Sequence, residues 1–179
     1  NDFEYEKILK KAPFGYALHK ILLDEHGVPE NFEYIEINDA FEKIMKLNRN
    51  QIIGKRITEI FPTINDNKFD CIKHYGDITI SGSESEFEQY LEELKGWFKI
   101  KIYSPSKGYF ITYLNDIVNE IKERELFKST ILSIDEGIIA TDLYGKIVII
   151  NKTGERLTQW KEKDILNLNV FDVFGQGRG

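Results

Sequence analysis

The chain has 179 residues and carries 24 Lys and Arg side chains against 30 Asp and Glu, for a net charge of −6. This acidic balance argues against a nucleic-acid or anionic-membrane partner, because both need clustered positive charge. The single cysteine excludes an internal disulfide, and no apolar run approaches the roughly 20 residues of a membrane span. We therefore expect a soluble, cytoplasmic globular protein with no direct membrane contact in this segment, long enough for one domain and part of another.

The first two thirds of the sequence predict alternating strands and helices in a fixed order. A short helix ends before Pro13, and a hairpin, a capped helix, two short helical turns, one longer helix and three strands follow in that order. In chain order these predicted elements span 4–11, 15–23, 32–37, 38–47, 50–53, 58–61, 68–81, 85–91, 97–103 and 109–115. Such an order predicts an α+β domain of about 115 residues, with one antiparallel sheet and helices on one face.

An internal repeat divides the chain. A segment that opens at Asn38 and ends at Phe61 matches, without gaps, a segment that opens at Asn151 and ends at Phe174. Few residues are identical, but the apolar positions coincide at an offset of 113. Upstream, Gly15 corresponds to Gly137, so the first copy has nine extra residues in its hairpin. Self-similarity of this kind predicts two related structural units.

The region between the two copies predicts a helix. Residues 117–130 are rich in Glu, Lys and Ile without Gly or Pro, and Asp116 is the natural cap. We therefore predict a complete domain over 1–116, a connecting helix over 117–130, and the N-terminal part of a second domain over 131–179. In that truncated copy the strand over 146–150 would have an exposed apolar face, so we expect it to dock, to pair with another chain, or to be mobile.

The motifs and their order resemble a PAS domain, a sensory module. Closest is the subgroup found upstream of bacterial histidine kinases and diguanylate cyclases or phosphodiesterases. The residues that carry the resemblance lie in five stretches of the printed sequence: 12–20, 37–41, 53–62, 97–105 and 108–110.

The resemblance implies a fold, a role and a signalling route. The fold is a five-stranded antiparallel sheet of order 2-1-5-4-3 with helices on one face. The role is that of a non-catalytic sensor that forms a homodimer and acts on a two-component or cyclase effector outside this chain. Signals would leave through Asp116 and Ile117, the junction at which Val118 replaces the usual Thr.

The residues themselves support no catalytic site, since no phosphate loop, cyclase signature or kinase phosphoacceptor helix is present. We instead predict a pocket between sheet and helices that binds a small molecule. Its walls would be formed by Met45, Ile57, Phe61, Phe69, Ile72, Phe98 and Ile100. These side chains are also bulky enough to fill the interior, and the alternative is a ligand-free dimerisation or spacer adaptor.

No cofactor is identified by the sequence, and no metal site is expected. His74 lies on the long helix from which haem-binding relatives take an axial ligand, but beside its apolar face. Cys71 lacks the Asn and Arg that flavin-binding relatives place next to their cysteine. We therefore expect neither haem nor flavin, with structural roles for both residues, and a packing or hydrogen-bonding role for His19, with a pocket role as the alternative.

Overall fold

The computed structural model describes residues 2–175, which form two compact units: the first ends at Val118 and the second begins at Asn119. Residues 176–179 of the predicted second domain lie outside the described residues. Among the helices that the structure describes, none combines the length and apolar composition that a membrane crossing requires.

A five-stranded antiparallel sheet forms the centre of the first unit. Its strands are β1 (Gly15–Leu23), β2 (Pro29–Ile37), β3 (Glu84–Leu91), β4 (Gly96–Ser106) and β5 (Tyr109–Asp116). They are arranged in the order β2-β1-β5-β4-β3. This is the order that the family resemblance implies, and the predicted α+β class with one antiparallel sheet is confirmed.

The helices of the first unit precede the sheet or lie between β2 and β3. They are α1 (Asp2–Lys11), α2 (Asp39–Met45), α3 (Arg49–Ile52), α4 (Ile57–Ile60) and α5 (Cys71–Ser81), with a 3-10 turn at Ile64–Asp66. Helix α5 begins three residues later than the predicted 68–81. The reason is that the Asp70 carboxylate accepts a hydrogen bond of 3.0 Å from the Lys73 backbone N–H and so caps the helix there.

Alternation along the strands separates a core face from an outer face. On β4 the side chains of Phe98, Ile100 and Ile102 are buried, whereas Lys99 and Lys101 are exposed. The buried side packs against α5, where Gly76 lies against Pro29 so closely that no side chain fits between them. Glycine is therefore required at position 76 by this close approach and not by its backbone conformation.

The second unit repeats the first part of this architecture. It contains α6 (Val118–Ser133), β6 (Ile139–Thr141), β7 (Ile147–Ile150), α7 (Lys152–Thr158), α8 (Glu162–Ile165) and α9 (Val170–Phe174), with β6 and β7 paired antiparallel. Ile147, Ile150 and Ile165 form its small buried core. Much apolar surface is exposed, including that of Leu143, Leu157 and Phe171.

Asn38 and Asn151 occupy the same position in the two copies and make equivalent hydrogen bonds. The Asn38 side-chain oxygen accepts from the backbone N–H groups of Tyr16 and Phe41, and its amide donates to the carbonyls of Leu9 and Phe14. The Asn151 oxygen accepts from the backbone N–H groups of Ile138 and Gly154. Its amide donates to backbone carbonyls that include those of Ile131 and Glu136.

These shared bonds identify the role of α6. Leu9 lies in α1 and Ile131 lies in α6, so each asparagine fastens the preceding helix to the start of its own unit. Helix α6 therefore has the same place in the second unit that α1 has in the first. The repeat inferred from apolar spacing is thus a repeat of hydrogen bonding as well.

Candidate ligand-binding site

A cavity of about 270 Å³ lies in the first unit between the core face of the sheet and the helices. Strands β1, β2 and β5 contribute to its wall, as do α2, α4, α5 and the turn between β3 and β4. Much of that wall is aromatic, from Phe32, Tyr34, Phe41, Phe61, Phe69 and Tyr75. Its interior offers both apolar surface and a few polar groups, which is the usual character of a small-molecule site.

The predicted wall residues divide into two groups. Met45, Ile57, Phe61 and Phe69 line the cavity. Three others, Ile72, Phe98 and Ile100, do not line it; they are buried in the surrounding core. Because α5 packs directly against β4, side chains from these two elements fill the space between them and leave the cavity to one side.

Sequence reasoning did not assign Tyr34, Tyr75 or Thr112 to this cavity, although all three line it. A signal for two of them was present in the strand periodicity. Tyr34 shares a strand with buried Phe32, and Thr112 alternates with Phe110 and Leu114 on the core face of β5. A polar residue at a core-facing position of a strand is therefore a better marker of a cavity than another apolar one.

His19 is the most buried polar side chain of the cavity wall. It is 2% exposed, and its Nε2 is 2.9 Å from the hydroxyl oxygen of Thr112. Its ring stacks on Phe110 with centroids 4.4 Å apart, while its Nδ1 is buried without a hydrogen-bond partner among the described residues. Burial lowers the pKa of His19 to about 3, so the imidazole is neutral at physiological pH.

Three other buried groups in the cavity wall, the Cys71 thiol and the hydroxyls of Tyr34 and Tyr75, are also held uncharged. Burial raises the pKa of the Cys71 thiol to about 12, with the nearby Asp70 carboxylate adding to the effect. The pKa values of the Tyr34 and Tyr75 hydroxyls are raised as well, chiefly by burial. Cys71 has Asp70 and Ile72 as neighbours rather than the Asn and Arg of flavin-binding relatives, so the residues present do not fit a flavin-reactive cysteine.

His74 does not line the cavity. Its ring packs against Phe69 and Phe87, with centroids 5.6 Å and 4.9 Å away. It therefore offers no axial ligand to a group bound in the cavity. Among residues 2–175, no three or more His, Cys, Asp and Glu side chains are grouped so that they could hold a metal ion.

The predicted signal junction lies where β5 passes into α6. Asp116 is the last residue of β5, and its carboxylate accepts a hydrogen bond of 2.9 Å from the backbone N–H of Val118. Asp116 thus contacts the backbone of the first residue of α6. Between them, Ile117 is 2% exposed, and its backbone N–H donates to the carbonyl of Trp97. The residue that precedes α6 is thus attached to the sheet of the first unit.

Comparison with known families agrees with this architecture. A family model described as PAS domain matches residues 21–119, which is more than half of the chain. A second model, described as PAS fold, matches residues 125–176. The chain therefore belongs to the PAS family, whose domains are generally non-catalytic sensory modules. No curated protein sequence matches the chain.

Solved structures with similar folds include sensor domains. A domain of a sensory box sensor histidine kinase/response regulator from Geobacter sulfurreducens is 10% identical, with a TM-score of 0.48 over 64% of this chain and 93% of that one. An RNA-binding light-oxygen-voltage receptor is 10% identical, with a TM-score of 0.49 over 72% of this chain and 36% of that one. The LOV domain of a blue-light activated histidine kinase from Erythrobacter litoralis EL346 is 17% identical, with a TM-score of 0.41 over 60% and 99%. These likenesses are distant, and the family assignment depends on the family models.

Proposed function

We propose that the first unit is a non-catalytic sensory module that binds a small molecule in its cavity and relays binding to a downstream effector. The observation that carries this proposal is the cavity of about 270 Å³ in the core, lined by aromatic side chains and by a buried histidine with an unpartnered nitrogen. Because protein interiors are close-packed, a space of this size bordered by core side chains favours ligand binding over the alternative of a completely filled core.

The relay is supported by the way β5 connects the cavity to α6. Thr112 and Leu114 on this strand line the cavity, and Asp116 at its end accepts a hydrogen bond from the backbone of Val118, the first residue of α6. A ligand that shifts β5 would therefore also shift the residue that holds the first turn of the helix. Since Ile117 is buried in the first unit, that movement cannot be absorbed by a loose linker.

The same proposal covers the organisation of the chain. We assign 1–116 to the sensory domain, 117–130 to the signalling helix and 131–179 to the N-terminal part of a second PAS domain. The effector, a histidine kinase or a diguanylate cyclase of a cytoplasmic bacterial signalling protein, would lie outside this chain. Support for this comes from the family and from the hydrogen bonds by which Asn151 holds the end of α6.

The test of ligand binding is native mass spectrometry of the purified protein, followed by a thermal-shift screen against small metabolites. Cys71→Leu enlarges a side chain that lines the cavity, whereas Val28→Leu enlarges an exposed one. We expect a co-purified mass or a stabilising compound with the natural chain and with Val28→Leu, and neither with Cys71→Leu. Absence of both from the natural chain and its control would contradict the proposal.

Self-association is a second candidate role, favoured by the outer face of the first sheet. Tyr16, Tyr103 and Tyr113 cluster there, with the Tyr103 and Tyr113 hydroxyls 3.4 Å apart. Light scattering should give twice the 20.9 kDa of one chain; a monomer at every concentration would remove the adaptor alternative.

A further inference from the structure

We propose that the side-chain contact between Asn67 and Glu93 controls how fast a small molecule enters and leaves the cavity of the first unit. Asn67 lies in the loop between α4 and α5, and Glu93 lies in the turn between β3 and β4. This inference rests on the proposed function, because it concerns the regulation of the same site. It assigns to these two side chains the rate of ligand exchange and not the choice of ligand.

The opening of the cavity can be located from the exposure of its wall. The wall residues on β1, β2, α2 and β5 are all buried, among them Phe32 and Leu114. The exposed wall residues are Lys68, Tyr90 and Glu92. They lie in the loop between α4 and α5, at the end of β3 and in the turn that follows it. The cavity therefore reaches the solvent between this loop and this turn, and that opening is its mouth.

A hydrogen bond spans the mouth. The Asn67 side-chain amide donates to the Glu93 carboxylate, and both side chains are half-buried. Because the acceptor is ionised, this bond is stronger than one between two neutral groups, and partial burial strengthens it further. The bond therefore stabilises the arrangement in which the loop and the turn are held together.

The loop is attached to the core on either side of Asn67. Ile64 is buried, and the ring of Phe69 packs against Phe87 on β3, with centroids 5.6 Å apart. Between these two anchors the backbone makes local bonds, such as that from the N–H of Asn67 to the carbonyl of Ile64. Segments with local backbone bonds and few core contacts open at a low cost in free energy. Residues 65–68 can therefore move away from the turn while both anchors stay in place.

A contact across the mouth should affect rates and not affinity. Neither Asn67 nor Glu93 belongs to the buried part of the wall, so a molecule enclosed in the cavity does not require their contact to break. The bond must open for entry and for exit alike. Its loss therefore raises both rate constants by the same factor and leaves their ratio, the dissociation constant, unchanged.

Amide hydrogen exchange measures this opening without any ligand. Glu93→Ala removes the acceptor, and Glu92→Ala is the matched control at an exposed residue of the same turn. Asn67→Ala removes the donor, and Asn65→Ala is the matched control in the same loop. Exchange of the loop and the turn should become about three- to tenfold faster in Glu93→Ala and in Asn67→Ala, but change by less than about twofold in the controls. The double variant should be no faster than either single variant, because both replacements remove the same bond.

The rates of entry and exit are measured with toluene as the probe. Apolar cavities of about 150 Å³ already bind benzene, and this cavity has about 270 Å³. Met45 is the single methionine and lines the cavity, so its 13C-labelled methyl group reports both occupancy and exchange by NMR. We expect Glu93→Ala to take up and release toluene about three- to tenfold faster than Glu92→Ala, with dissociation constants that agree within about twofold.

The outcomes separate this inference from the proposed function. The inference is wrong if Glu93→Ala and Glu92→Ala exchange toluene at the same rate, or if Glu93→Ala speeds release without speeding entry; ligand binding stands in either case. If toluene leaves the Met45 resonance unmoved in the natural chain and in both variants, binding in the cavity is itself contradicted. Should Glu93→Ala fail to fold, Glu93→Gln keeps an acceptor oxygen without the charge and should exchange toluene about two- to threefold faster than Glu92→Ala; equal rates would again overturn the inference.

Discussion

The two repeated asparagines should be among the most important polar residues for stability. Asn38 is 2% exposed and makes four side-chain hydrogen bonds of 2.8 to 3.0 Å, all to backbone groups. Asn38→Ala removes the cap of α2 and leaves the other backbone groups without partners. With about 1 kcal/mol for each lost bond, the free energy of unfolding of the first unit should fall by about 3–5 kcal/mol.

The position of the two tryptophans allows each unit to be followed separately. Trp97 lies in the first unit and Trp160 in the second, so Trp97→Phe and Trp160→Phe backgrounds each leave one fluorescent reporter. In urea unfolding, Asn38→Ala should lower the midpoint concentration of the transition that Trp97 reports. Asn151→Ala should lower the midpoint concentration of the transition that Trp160 reports.

The matched control is Asn115→Ala, at an exposed residue of β5, which should change the free energy of unfolding by less than about 0.5 kcal/mol. The reasoning is refuted if Asn38→Ala unfolds at the same urea concentration as Asn115→Ala. If Asn151→Ala also unfolds at the same urea concentration as Asn115→Ala, the two copies share the spacing of their residues but not the stabilising hydrogen bonds.

Three further predictions follow from the buried residues. Because the folded-state pKa of His19 is lowered to about 3 from an ordinary value of about 6.5, only the unfolded chain gains this proton as the pH falls below about 6.5. The free energy of unfolding of the natural chain, measured by urea titration, should therefore fall between about pH 8 and about pH 5. Over this range it should fall by about 2 kcal/mol more than that of His19→Leu. If the free energy of unfolding depends on pH equally in both chains, a buried neutral histidine is contradicted. Gly76→Ala should destabilise the first unit by about 1–3 kcal/mol, because the new methyl group meets the rigid ring of Pro29. An unchanged melting temperature would show that α5 and β2 are packed less closely than the short distance between Gly76 and Pro29 indicates. Cys71, whose thiol pKa is raised to about 12, should react with iodoacetamide at about pH 8 only after unfolding; rapid modification of the folded chain would show that the thiol is accessible.

The fold was largely predictable because its determinants are local. Strand alternation separated Phe98, Ile100 and Ile102 from the lysines between them, and the spacing to Asn38 revealed the second copy at Asn151. Both features depend on neighbours along the chain. The start of α5 was placed three residues early because the capping contribution of Asp70 was not distinguished from the polar residues before it.

The cavity was less predictable, for a different physical reason. Which apolar side chains fill a core and which border an empty space depends on how α5 lies across β4, and that angle is set by contacts between distant residues. Ile72, Phe98 and Ile100 were therefore predicted as cavity walls although they are core residues. His19 carried a visible signal, a polar residue on the core face of a strand, but its unpartnered Nδ1 could be recognised only in three dimensions.

The central claim is that occupation of the cavity alters α6 through Asp116. Amide hydrogen exchange across residues 117–133, with and without a stabilising compound from the thermal-shift screen, tests it directly. Asp116→Ala removes the hydrogen bond to Val118, and Asp24→Ala removes comparable bonds to the backbone of His26 and Val28 in the hairpin. We predict that the compound changes exchange in the first turns of α6 in the natural chain and in Asp24→Ala, but not in Asp116→Ala. Thermal stabilisation by the compound without any change in α6 exchange would contradict the claim.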